Sequence, residues 1–297
     1  MIPKIIHYCW FGRAPLPDKA KKCIESWRKH CPDYMILEWN EDNFDIRQNG
    51  YTEMCCKEKK YAFLADYVRL QIIENEGGFY FDVDVELVRS LDPLCSEHAF
   101  FAFETDRMIA TGLGFGAEKH HPLVHFMLEQ YAPLLNGKHG VIGCPQLNTQ
   151  ALLKCGLKPN GKRQIVQGAA VFPKAYFNPY EDATGRLYIT DCTYAVHWYA
   201  KSWMNRRTVL RSKLTRPLSM QAPYCARGSK KRTAAYAFCI SQTAASAVHE
   251  TRVCLRQAEH SSALSMPMTP YRRHFLKRFC RRLSSITVIL LSATSYA

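Results

Sequence analysis

The sequence predicts an α/β layer fold, and three observations carry the prediction. Strand-like and helix-periodic stretches alternate from residue 5 onward, a glycine pair ends a long helical pattern directly before a strand, and an acidic pair follows within that strand. Taken in order, Ile5-Ile6-His7-Tyr8-Cys9-Trp10-Phe11 is rich in β-branched and aromatic residues and stops at Gly12. It reads as a buried first strand, followed by a loop confined by Pro15 and Pro17. A helix is predicted from about Asp18, as its N-cap, to Lys29, because Ala20, Cys23, Ile24 and Trp27 recur three and four apart. Cys31-Pro32 ends it, and residues 34–39 supply a second strand that closes a β-α-β unit. Lys60 to Asn75 turns helical again, with Leu64, Val68 and Ile72 spaced by four and Gly77 placed to stop the helix. Residues 99–103 read as a further strand, residues 112–116 as a glycine-rich turn, and 122–131 and 146–153 as two short helices.

Charge divides the chain sharply. The net +14 first suggests a nucleic-acid or membrane binder, yet residues 1–203 hold 23 Lys/Arg against 24 Asp/Glu, leaving 17 against 2 for residues 204–297. The basicity therefore belongs to a C-terminal tail and not to the body. Thirteen cysteines, an odd number without a C-x-x-C pair, predict reduced and mostly packed thiols. The N-terminus has no signal pattern and no run of about 20 apolar residues occurs, so the expected location is the cytoplasm.

The chemistry centres on Gly77-Gly78-Phe79-Tyr80-Phe81-Asp82-Val83-Asp84-Val85-Glu86. If this is one continuous strand, Asp82 and Asp84 leave the same face with their Cα atoms roughly 6.6 Å apart. Two ionised carboxylates that close repel unless a cation lies between them or their pKa values separate. Mg²⁺ or Mn²⁺ takes such oxygen ligands, commonly together with substrate phosphates. Such a pair at the carboxyl end of a strand lies where open α/β sheets bind ligands. Asp66 and Arg69 share a helix face three residues apart, which by itself describes an ordinary surface ion pair. His120, His121 and His125 lack an H-E-x-x-H pattern and a nearby acidic ligand, so a helix start with incidental histidines describes them better than zinc. Residues 194–203 read as an aromatic cluster around His197.

Three separated stretches together resemble the DXD-containing sugar-transferase family (glycosyltransferase family 32-like). That family groups bacterial capsule and lipopolysaccharide glycosyltransferases with yeast initiating α-1,6-mannosyltransferases and, distantly, the clostridial glucosylating toxins. The stretches are residues 5–12, residues 62–86 with Asp66, Arg69, Gly77-Gly78, Tyr80, Asp82 and Asp84, and His197 with Ser202-Trp203. The resemblance covers residues 1–203. It implies a GT-A catalytic domain with a Rossmann-like, mostly parallel central sheet flanked by helices, followed by the basic tail. It also implies retaining transfer of a hexose or N-acetylhexosamine from a nucleotide sugar, UDP favoured over GDP, with Mn²⁺ or Mg²⁺. The acceptor would be a glycan or lipid-linked oligosaccharide in capsule or O-antigen assembly. Carried over by position, Trp10 stacks on the base and Asn43 lines its pocket. Asp66 and Arg69 hold the sugar and phosphate side, and Tyr80 belongs to the donor site. Asp82 reaches the ribose or the metal through water, Asp84 and His197 ligate the metal, and Ser202 and Trp203 lie near the β-phosphate. Ala65 stands where many relatives have serine.

Two other readings compete. The hydrophobic strand with D-x-D also opens haloacid-dehalogenase-like phosphohydrolases, where Asp82 would be the nucleophile; the later acidic pair that such enzymes need is missing. A non-catalytic nucleotide-sugar-binding module is the other. For the tail, either residues 204–297 are poorly ordered or foreign to the native protein, or Tyr271 to Leu291 forms a basic interfacial helix. Phe275, Phe279 and Leu283 would line one side of that helix and hold the enzyme peripherally at the inner face of the cell membrane. No nucleic-acid motif accompanies the charge, so no nucleic-acid partner is expected.

Overall fold

A computed structural model describes residues 1–200 of the chain. Ser202, Trp203 and every expectation placed on the tail lie outside the described residues. The elements run β1 (Ile5–Cys9), α1 (Asp18–His30), β2 (Met35–Trp39), α2 (Gly50–Lys57), α3 (Tyr61–Glu76), β3 (Gly78–Tyr80), β4 (Val85–Leu87), β5 (Ala99–Ala102), β6 (Phe115–Ala117), α4 (Pro122–Glu129), α5 (Cys144–Lys154), β7 (Gln164–Val166), β8 (Ala169–Phe172), β9 (Tyr180–Glu181), β10 (Arg186–Leu187) and β11 (Ala195–His197). Seven strands share one sheet in the order β2-β1-β3-β6-β5-β8-β7.

That sheet is mixed, which corrects the mostly parallel expectation. β1 pairs parallel with β2 and β3, and β5 with β8, whereas β3–β6, β5–β6 and β7–β8 are antiparallel. The connections explain the split. A parallel neighbour needs a crossover, and helices supply it between β1 and β2 and between β2 and β3. No α-helix lies between β5 and β6, so β6 returns alongside β5. Between β7 and β8 only Gln167 (φ 45°) and Gly168 (φ 84°) intervene, both in the left-handed region that two-residue hairpins require.

Helices cover both faces. Residues of α2, α3, α4 and α5 bury against Tyr80, Phe101 and Phe115 on one face, and Ile24 and Trp27 of α1 against Ile6, Phe79, Phe81 and Phe100 on the other. Alternation through Phe79, Tyr80 and Phe81 sends successive rings to opposite cores, as the strand period of two requires. The apolar stripe of α1 is buried as predicted, at Ala20, Cys23, Ile24 and Trp27. Its start differs, since Pro17 is the N-cap and Asp18 the first helical residue, making no side-chain cap. Proline cannot donate but suits the entry to a helix, and an acid in the first turn still complements the helix dipole. Gly77 ends α3 with φ 68°, as expected. All nine cysteines among the described residues are free, and five of them are buried.

The strand predicted through residue 86 breaks. β3 ends at Tyr80 and residues 82–85 make a turn closed by the Val85 N–H on the Asp82 carbonyl at 3.0 Å. Asp82 and Asp84 therefore lie in a turn and not on one face of a continuous strand. The Phe81 N–H still donates to His7 O (3.2 Å), but the Asp82 N–H goes to Gly112 O (2.9 Å), after which the chain leaves the sheet. β4 instead pairs antiparallel with β11, placing His197 opposite Val85.

Candidate active site

The turn after β3 opens at the carboxyl edge of the parallel strands. Trp10 follows β1 and Asn43 lies beyond β2 at the same edge, and Glu104 lies beyond β5, which runs parallel to β3 through the intervening antiparallel β6. This edge is where α/β sheets place ligands.

Helix α3 delivers Asp66 and Arg69 one turn apart, and the pair is buried, not a surface pair: Arg69 is 2% exposed. Its Nη2 lies 3.0 Å from Asp66 Oδ1 and 3.1 Å from Asp82 Oδ1, while Nε donates to Ala65 O at 3.0 Å. The guanidinium lies 4.8 Å from the Tyr80 ring centroid, and the Tyr80 hydroxyl donates to Asp82 Oδ1 at 3.1 Å. Asp66 Oδ2 accepts the Cys144 N–H at 3.1 Å, so the same carboxylate also caps the first turn of α5. Burial pushes the Asp66 carboxyl above its usual range against the pull of Arg69. Burial likewise pushes Asp82 up to about 6; Arg69 opposes this and the neighbouring Asp84 charge adds to it.

Asp84 and His197 form the other half. His197 Nε2 lies 3.4 Å from Asp84 Oδ1, and Asp84 Oδ2 accepts the Ala200 N–H at 2.7 Å. The Trp198 N–H donates to Asp84 O at 3.0 Å, and its Nε1 to Glu86 Oε2 at 2.8 Å, tying β11 to the turn. Burial opposes ionisation of Asp84, but the His197 charge and the hydrogen bonds outweigh it and leave the carboxyl below its usual range. Burial would lower His197, yet Asp84 more than offsets it and the imidazole is raised.

Ligand atoms of Asp82, Asp84 and His197 all lie within 4.8 Å of one another, the one such group among the described residues. Two carboxylates and an imidazole fit a divalent cation; the His197 Nδ1 is buried and has no hydrogen-bond partner among the described residues. Asp82 is poorly disposed as a phosphohydrolase nucleophile, because its Oδ1 is already engaged by a guanidinium and a phenol.

Of the other predicted residues, Trp10 is half-buried and donates from Nε1 to Ala14 O at 2.5 Å. Asn43 is exposed and occupied by its own turn, accepting the Asn40 N–H at 2.9 Å and donating to Glu38 O at 2.8 Å. His121 caps α4 through Nδ1 (3.2 Å to the Leu123 N–H), and His120 and His125 face Glu74, so these histidines are incidental to the site. Sequence reasoning missed Gly112, where a Cβ would collide with Asp82 Oδ2 and lie 2.7 Å from Arg69 Nη1. A glycine in a glycine-rich turn was the available signal, but not its purpose.

Residues 17–101 match the family model described as the glycosyltransferase sugar-binding region containing a DXD motif. The chain carries a DXD-bearing, glycosyltransferase-like domain. This domain is similar to a glycosyltransferase of Acanthamoeba polyphaga mimivirus, at 26% identity over 216 residues that cover 68% of this chain and 84% of the viral one. It is also similar to inositol phosphoceramide mannosyltransferase 3 of Schizosaccharomyces pombe, at 30% identity over 131 residues, 41% of this chain and 35% of the yeast protein. The chain thus spans about a third of the yeast protein's length. Among solved structures, the PaToxG glycosyltransferase superposes with a TM-score of 0.43 at 20% identity, over 52% of this chain and 69% of that one. The mixed sheet flanked by helices is consistent with a GT-A-like Rossmann fold.

Proposed function

We propose that the domain transfers a hexose or N-acetylhexosamine, with retention, from a nucleotide sugar to a glycan or lipid-linked acceptor, using Mn²⁺ or Mg²⁺. The observation that carries this reading is the convergence of Asp82, Asp84 and His197 beside the buried Arg69. Asp84 and His197 would hold the ion, with Asp82 at its edge reaching it directly or through water. The imidazole in the donor set favours Mn²⁺ over Mg²⁺. Bound there, a divalent ion neutralises charge developing on a nucleoside diphosphate leaving group.

The chain's own residues then have separable duties. Arg69, positively charged and locked by Asp66 and the Ala65 carbonyl, holds Asp82 in place and adds positive potential on the phosphate side of the site. Asp66 orients Arg69 and fixes the start of α5, a positioning role that leaves little of its carboxylate for the donor sugar. Trp10, at the end of β1, offers a ring for the base, and UDP is favoured over GDP. No side chain is assigned as a covalent nucleophile; the acceptor hydroxyl attacks from the face that the leaving group departs.

The yeast relatives' names describe mannose transfer to inositol phosphoceramide, which supports a lipid-borne acceptor and makes mannose one hexose to test. Surface polysaccharide assembly, at the cytoplasmic face of a membrane, is the setting we favour. A panel of UDP- and GDP-sugars incubated with Mn²⁺ tests the reading. Mn²⁺-dependent turnover of one of them, abolished by Asp84→Ala in a protein that keeps its circular dichroism, is expected. Turnover undiminished by Asp84→Ala, or no turnover of any donor, refutes it.

A further inference from the structure

Past His197 the backbone makes an uncommon excursion. Tyr199 takes a left-handed conformation (φ 49°), which a bulky residue rarely adopts without compensation. Two compensations are visible. The excursion brings the Ala200 N–H back onto Asp84 Oδ2, and it lays the Tyr199 ring against the His197 ring with centroids 4.1 Å apart. The far end of Tyr199 is tied down, since its hydroxyl accepts from Asn178 Nδ2 at 2.7 Å and faces Glu104 Oε1 at 3.5 Å. Asn178 is 6% exposed and donates as well to the Glu104 carbonyl at 2.9 Å, which fixes it to the loop after β5. His197, by contrast, has no hydrogen bond on Nδ1 among the described residues. A metal-binding histidine ordinarily uses its second nitrogen to fix ring orientation. Here the anchored Tyr199 phenol ring packs on the imidazole instead, while Nε2 faces Asp84 Oδ1 at 3.4 Å.

We propose that Tyr199 is a positioning residue that aims the His197 imidazole at the Asp82–Asp84 corner, and that Asn178 and Glu104 hold Tyr199 for this purpose. The inference rests on the metal-holding reading of the three ligands and extends it to residues that touch neither metal nor donor. It also joins the metal corner to the loops after β5 and before β9, two segments far apart in sequence.

The test uses the full-length chain with Mn²⁺ alone, titrated by electron paramagnetic resonance. Nitrogen-14 modulation in the pulsed spectrum reports imidazole ligation, and His197→Ala assigns it. Tyr199→Leu removes the ring, and Tyr199→Phe keeps the ring but loses its anchor. Tyr199→Leu is expected to weaken Mn²⁺ binding about 10- to 100-fold and to lose the nitrogen modulation. Tyr199→Phe is expected to weaken binding several-fold with reduced modulation. A merely structural role would lower the metal-free melting temperature while leaving affinity and modulation in the folded protein unchanged, and that result overturns the proposal. If Tyr199→Leu fails to fold, Tyr199→Phe alone decides. Wild-type protein that binds Mn²⁺ without nitrogen modulation overturns the role of Tyr199 only; wild-type protein that binds no Mn²⁺ overturns the metal reading and this inference with it.

Discussion

Gly112→Ala should disable the site through a single methyl group. A Cβ at this position would collide with Asp82 Oδ2 and lie 2.7 Å from Arg69 Nη1 and 3.1 Å from Asp82 Cγ, where ordinary contact begins near 3.4 Å. Relief requires Arg69 Nη1 to retreat by about 0.7 Å and the Asp82 oxygen by more. Neither group has an easy retreat. Arg69 is bound by Asp66 and the Ala65 carbonyl, and Asp82 is bound at its N–H by Gly112 itself. The crowded atoms, Asp82 Oδ2 and Arg69 Nη1, belong to the same two groups that meet at 3.1 Å through Oδ1 and Nη2, so making room displaces the carboxylate from its present position. Misplacement of a reacting constellation by about 1 Å costs about 10²-fold in rate. Turnover of the active nucleotide sugar should therefore fall about 100-fold, with Mn²⁺ affinity weakened and overpacking costing on the order of 1–3 kcal/mol in urea denaturation. A folded variant whose turnover stays within about twofold of wild type would refute the claim that Asp82 and Arg69 must occupy these positions.

Other consequences follow from the same geometry. His7 is fully buried, accepts from Trp39 Nε1 at 3.1 Å through Nδ1, and so donates from Nε2 to Gly77 O at 3.0 Å; burial lowers its pKa from 6.5 to about 4. A depressed folded pKa stabilises above the unfolded value and loses that stability as pH falls from 6.5 to 4, by about 3 kcal/mol in all. Urea unfolding against pH should show this slope in wild type and a flatter one in His7→Gln; parallel curves would contradict it. Arg69→Met strips the half-buried Asp66 and Asp82 of their shared cation, which should cost at most about 3–5 kcal/mol in chemical denaturation, less as solvent reaches Asp82, and push Asp82 above about 6; a loss under about 1 kcal/mol would show that Arg69 does not hold the two carboxylates.

Much of this architecture could be read from residue order, and the unreadable parts share a physical cause. The stripe of α1 was legible because a 3.6-residue period writes burial directly into spacing, and Gly77 announces a backbone turn that other residues resist; in α3 Leu64, Val68 and Ile72 are buried as their spacing suggests, but so are Ala65, Tyr67, Leu70 and Ile73, which that spacing does not single out. The end of β3 was not legible. Phe79, Tyr80 and Phe81 alternate as a longer strand would, and the break comes from partners remote in sequence, Gly112 O for the Asp82 N–H and β11 for β4. The D-x-D spacing thus singled out two carboxylates that the fold does bring together with His197, but through the wrong local geometry. Asp66 and Arg69 were visible as a pair but not as a buried one, since the groups that enclose them, among them α5, Tyr80, Asp82 and Gly112, lie outside their own helix. Asn178 and Tyr199 carry no local signature, and the glycine-rich turn at Gly112 does not say what it makes room for, because each matters only for what the folded chain brings against it.

Anomalous diffraction from a crystal soaked with Mn²⁺ and UDP tests the central claim most directly. A manganese peak ligated by Asp84 and His197 is expected, with Asp82 at its edge and the diphosphate on its open side. No peak there, with Asp82 still held by Arg69 and Asp84 still closed on the Ala200 amide, would contradict it.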